Sequence, residues 1–121
     1  MHNVDPQIIS LLEDIYMSAK RIVDHMQNET LEGFTSQGGM DAQDIVARRM
    51  TIIGEASARL LQKHPDFCEQ HPELPLQQAR RMRNALVHDY NRIDWHLVWR
   101  TVHKELPQLI NAVESFLSEK P

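Results

Sequence analysis

The sequence predicts an all-α fold, an antiparallel bundle of four principal helices, and three observations carry that prediction. Apolar residues recur at alternating four- and three-residue steps over long stretches, the spacing of one helix face. Asp5-Pro6 and Asp94 stand ahead of two of these stretches, where an aspartate can accept from the first free N–H groups of a helix. Only four glycines interrupt 121 residues, and strand-like alternation is scarce.

The first helix opens at Asp5-Pro6 and carries Ile8, Leu12, Ile15, Ala19, Ile22 and Met26 on one face, widened by Ile9, Leu11, Tyr16 and Val23. It should fade near Gln27–Asn28. Thr30 to Met40, holding Gly33, Gly38 and Gly39, reads as a loop. Asp41 is the expected cap of a second helix reaching Lys63, with Ile45, Val46, Met50, Ile53, Ala56, Ser57 and Leu60 turned inward. Gly54 lies inside that helix, where it costs up to about 1 kcal/mol relative to alanine. Close approach of a neighbouring helix is the expected reason.

Residues 64–75 contain Pro65, Pro72 and Pro75 and form a connector, with room for one helical turn at Asp66–Gln70. A third helix spans Leu76 to His88 and breaks near Asp89–Asn91. Asp94 caps the last helix, whose face runs Trp99, Val102, Leu106, Leu109, Val113 and Phe116 straight through Pro107. An interior proline removes one backbone hydrogen bond, so that register predicts one kinked helix rather than two. No repeat or low-complexity segment is present, and residues 1–121 read as a single domain.

Composition narrows the function classes. Cys68 stands alone, so no intramolecular disulfide is possible, and with no apolar run of spanning length or export signal a cytoplasmic protein without membrane association is expected. The net charge of −4 argues against indiscriminate nucleic-acid binding, but it is unevenly spread. Residues 1–40 carry a net −4, whereas residues 78–104 carry +4, from Arg80, Arg81, Arg83, Arg92, Arg100 and Lys104 against Asp89 and Asp94. A solvated helix face also produces such a run.

That basic stretch contains the most informative octapeptide, Arg83-Asn84-Ala85-Leu86-Val87-His88-Asp89-Tyr90. Arginine suits phosphate because its planar fork donates two parallel hydrogen bonds and keeps its charge. Histidine suits proton transfer because its ordinary pKa of about 6.5 lies near working pH. The spacing alone says little: Arg59 and His64 repeat it, with Pro65 following, at what reads as an ordinary helix end. Residues five apart on a helix point about 140° away from each other, while Tyr90 returns to the face of Arg83. Either the helix loosens at His88, or a second subunit completes the site.

Taken with Ile52-Ile53-Gly54-Glu55-Ala56, Met82-Arg83-Asn84-Ala85-Leu86-Val87-His88-Asp89-Tyr90, Ile93-Asp94-Trp95 and Val98-Trp99 followed by Leu106-Pro107, the chain resembles the HepT-like proteins of the HEPN superfamily over residues 5 to 117. Arg83, His88 and Tyr90 fill that family's Arg-x4-His-x-Tyr motif, and Asn84 occupies its polar slot. Leu74-Pro75-Leu76 departs from the Pro-Trp that many relatives carry ahead of the motif helix.

The resemblance implies a HEPN-like bundle, a homodimer with the motifs at its interface, and a toxin ribonuclease that cuts RNA without metal by attack of a ribose 2′-hydroxyl on the adjacent phosphate. It implies catalytic roles for Arg83 and His88, a supporting role for Asn84, and a cognate minimal nucleotidyltransferase antitoxin that adenylylates Tyr90. The alternative is a non-catalytic helical binding subunit, or an acceptor substrate, of a two-component nucleotidyltransferase. No cofactor is expected, since Gly38-Gly39 is no phosphate-binding loop. No metal is expected either, since His64, Cys68 and His71 supply only three ligands within a proline-rich connector. Trp95 and Trp99 fit core or dimer contact better than a base-stacking platform.

Overall fold

Helix α1 (Pro6–Met26) begins where Asp5 accepts a 2.7 Å hydrogen bond from the Gln7 N–H, with Pro6 in the first turn. The computed structural model describes residues 4–88 and 90–119, and for residues 87, 88 and 90 the backbone alone. Its other elements are α2 (Leu31–Thr35), α3 (Met40–Lys63), α4 (Pro65–Gln70), α5 (Leu76–His88), α6 (Trp95–Arg100) and α7 (Leu106–Ser118). Short 3-10 turns cover Gln37–Gly39 and Tyr90–Arg92. Among the described residues there is no strand, and the fold is all-α and HEPN-like.

The first helix buries the face its spacing predicts: Ile8, Leu12, Ile15, Ala19, Ile22 and Met26 are all in the core. It packs on α3 and α7, and α3 packs on α5. Tyr16 O–H donates to Glu114 Oε2 at 2.8 Å, tying α1 to α7 at the surface. Fully buried apolar side chains of this kind each stabilise the fold by about 1.5–3 kcal/mol. Val46, Met50, Ile53, Ala56, Ser57 and Leu60 of α3 are buried as expected. Ile45 is not: it lies 37% exposed, because the inward stripe of α3 passes through its neighbour Val46.

Residues 30–40 are not a plain loop. Thr30 accepts from the Gly33 N–H at 3.0 Å and starts α2, which drives Phe34 to complete burial. The ring meets Trp95 edge-on and Trp99 at a tilt, both with centroids 5.8 Å away. Gln43 Nε2 donates to the Phe34 carbonyl at 2.8 Å and satisfies the end of this short helix. Gly39, rather than Asp41, is the residue ahead of α3, and Asp41 lies in the first turn. Gly39 is buried against the Gly33 and Phe34 carbonyls, which leave no room for a side chain.

The last helix is continuous from α6 to α7 through a π-helical turn at Thr101–Glu105, where the Leu106 N–H bonds the Thr101 carbonyl. Proline cannot donate, so the turn ahead of Pro107 widens and the apolar register continues. Val102, Leu106, Leu109, Val113 and Phe116 are accordingly all buried. Asp94 accepts from the His96 and Leu97 N–H groups at 3.1 and 3.2 Å and caps α6 as expected. No helix among the described residues is long and apolar enough to cross a membrane.

Candidate active site

Arg83 and Asn84 project from the middle of α5, both half-buried. The helix lacks proline and carries Leu76 and Leu86 into the core, so its packing against α3 fixes where Arg83 starts. The contact is unusually close. A side-chain carbon on Gly54 would overlap Arg83 Cβ and come within 2.8 Å of Arg83 Cγ and 2.9 Å of the Ala79 carbonyl oxygen. Gly54 is itself buried, so the close approach inferred from its sequence position is real, and its partner is the root of the motif arginine.

The Nε of Arg83 is sealed from solvent and has no hydrogen-bond partner among the described residues. Neither Arg83 nor Asn84 makes a side-chain hydrogen bond or ion pair with any described residue. A partly desolvated guanidinium that no described carboxylate pairs with is costly, because burial weakens hydration and none of the described residues supplies a counter-charge. Such a cation is suited to an anion that arrives from outside.

The backbone of α5 stays α-helical through His88, and a 3-10 turn follows at Tyr90–Arg92. The backbone positions of residues 83 and 88 are therefore about 140° apart around the helix axis, and α5 ends at His88. The side chains of His88 and Tyr90, and Asp89 as a whole, lie outside the described residues.

Leu86 borders two surface hollows that flank the end of α5. One is lined by Asp44, Arg48, Thr51, Ile52 and Glu55 of α3, the other by Met82, Ala85, Arg92, Ile93, Asp94 and Leu97. Arg81, Arg92, Arg100 and Lys104 are exposed, while Arg80 donates to Gln77 Oε1 at 2.8 Å within α5. Trp95 and Trp99 are half-buried against Phe34, which makes them packing residues.

The remaining histidines of the connector have structural partners. His64 follows the last turn of α3, and its Nε2 lies 2.7 Å from Gln7 Oε1. The His71 ring packs on Phe67 and Phe116, and its Nδ1 lies 2.9 Å from Glu73 Oε2. That bond holds the Glu73 carboxyl below the usual carboxylate range. Burial pushes the Cys68 thiol up, which disfavours the reactive thiolate.

Residues 15–116 match the family model for "Ribonuclease HepT-like" proteins. The chain is 35% identical over 103 residues to the "Probable ribonuclease HepT" of Thermococcus cleftensis, covering 85% of this chain and 89% of that protein. It is 27% identical over 109 residues to a "Putative RNase" of Caldanaerobacter subterraneus subsp. tengcongensis, covering 90% and 93%. A protein of Methanocaldococcus jannaschii with the same description is 30% identical over 105 residues, covering 87% and 92%. No solved structure matches the chain. The chain belongs to the HepT-like ribonuclease family.

Proposed function

We propose that this chain is the toxin of a toxin–antitoxin pair, a metal-independent endoribonuclease. The observation that supports this reading most is the half-buried guanidinium of Arg83, which no described residue neutralises. In the proposed reaction Arg83 holds the scissile phosphate and offsets the charge that grows on it as the ribose 2′-hydroxyl attacks. His88 transfers the proton, a role worth roughly 10²–10⁴-fold. Attack forms the bond from the 2′-oxygen to phosphorus and breaks the bond to the 5′-oxygen, leaving a cyclic phosphate and a free 5′-hydroxyl. Asn84 supports the site by orienting the imidazole or contacting RNA.

Because positions 83 and 88 diverge on one helix, a homodimer that pairs Arg83 of one subunit with His88 of its partner fits the backbone best. Tyr90 is the proposed target of the antitoxin nucleotidyltransferase. Transfer of AMP from ATP to the phenol oxygen, releasing pyrophosphate, adds bulk and negative charge where RNA binds, so activity is blocked by sterics and repulsion.

Expression in a bacterial host tests this reading. Wild-type protein should arrest growth, and Arg83→Ala or His88→Ala should abolish arrest while circular dichroism and oligomeric state stay unchanged. Full arrest by His88→Ala would instead favour a non-catalytic binding subunit.

A further inference from the structure

We infer that Gly54 is the positioning residue for Arg83: its missing side chain sets where the arginine leaves α5 and seals the Nε edge of its guanidinium against α3. Three observations carry this. Gly54 is buried in the interior of a 24-residue helix, a place that intrinsic helix propensity disfavours. A carbon added there would overlap Arg83 Cβ and crowd Arg83 Cγ and the Ala79 carbonyl, so the atoms that need the space belong to the arginine's root and the turn before it. Among the described residues no hydrogen bond holds Arg83, and the contact with Gly54 is the close packing that places its root.

The chemical consequence is a direction of approach. With Nε sealed, the guanidinium can offer an incoming phosphate only its two terminal nitrogens, the end-on fork. Carbon contacts settle at about 3.5–4.0 Å, so an alanine at position 54 must push α5 away by more than about 1 Å. A displacement of that size costs an anchored reaction about 10²-fold. Gly54 touches no reacting atom and acts only through Arg83.

The test has one arm that depends on the ribonuclease reading and one that does not. The independent arm follows solvent exchange of the arginine Nε–H groups by proton–nitrogen NMR, the Arg83 signal being the one lost in Arg83→Lys. In the wild-type protein it should exchange at least about tenfold more slowly than that of exposed Arg81, and Gly54→Ala should remove this protection. The second arm measures single-turnover RNA cleavage, with Val113→Ala as a control that loosens the core on α7, the helix that packs on α1. Gly54→Ala should lose about 10–100-fold, and Val113→Ala less than threefold (roughly) at a temperature where both remain folded.

Equal exchange at Arg83 and Arg81 in the wild-type protein would overturn the inference, even if Gly54→Ala does not fold. Retained protection in Gly54→Ala, unchanged cleavage, or an equal loss in Val113→Ala would overturn it as well. Absence of cleavage by wild-type protein would sink the ribonuclease reading alone, leaving the exchange data to decide the placement of Arg83.

Discussion

Arg83 and His88 sit five residues apart on one α-helix that stays regular through both, so their backbone positions diverge by about 140° around its axis. In the proposed reaction, a phosphate held by Arg83 therefore starts from a different side of α5 than the backbone of residue 88. The proposed two-fold dimer would set Arg83 of one subunit beside His88 of its partner.

That relationship predicts complementation. A mixed dimer of Arg83→Ala and His88→Ala subunits contains one site with both residues intact and one with neither. Co-expression with two affinity tags should yield heterodimers with about half the wild-type cleavage rate, although each parent is inactive. Inactive heterodimers would place both residues in a site within one subunit.

Phe34 should prove a main support of the α6 entrance. It is fully buried between Trp95 and Trp99, and truncation to alanine leaves a cavity under both indoles. Phe34→Ala should lower unfolding free energy by about 3–5 kcal/mol and red-shift the tryptophan emission. Urea melts followed by fluorescence read both effects.

The Asp94 cap predicts a contrast between two substitutions. Its side chain accepts from two backbone N–H groups at the start of α6. Asp94→Ala should cost about 1 kcal/mol, whereas Asp94→Asn, which keeps an acceptor oxygen, should cost a few tenths. Denaturant midpoints at constant slope distinguish them.

Glu73 supplies a pH dependence. The hydrogen bond from His71 lowers its folded-state pKa, so the stabilisation is present at neutral pH and lost as pH falls through the folded value below 4.5. Its side chain is 54% exposed, so solvent screening keeps the effect below about 1 kcal/mol. Wild-type protein should be slightly more stable than Glu73→Gln at pH 7, with the difference shrinking as acid protonates Glu73. A gap that widens on acidification would contradict the assigned direction.

Much of this fold was legible in the chain because its signals are local and repeated. Asp5-Pro6 and Asp94 mark helix starts by chemistry acting within three residues, and the α1 stripe from Ile8 to Met26 repeats often enough to define a buried face. Helix α2 escaped because five residues cannot display a period, and its glycine reads as a loop signal until Phe34 is seen to fill the space beside two tryptophans. Ile45 was misplaced because one residue of drift in a long helix turns a side chain by about 100°. The π-helical turn ahead of Pro107 left no mark in the apolar register that it preserves.

The candidate site left signals of a different kind. The motif residue types announce their chemistry, but the pressure of Gly54 on Arg83 joins positions 29 residues apart and arises only when α3 packs on α5. A glycine inside an apolar helical stripe was the available signal, and it named neither the partner nor the consequence.

A cleavage assay in EDTA bears most directly on the proposed ribonuclease. Mass-verified unmodified protein and a folded His88→Ala control would be incubated with several RNAs, including transfer RNA. The wild-type protein should release fragments ending in cyclic phosphate, and the variant should lose at least about 10²-fold of that cleavage. Intact RNA from folded, unmodified protein, or equal cleavage by His88→Ala, would refute a catalytic His88.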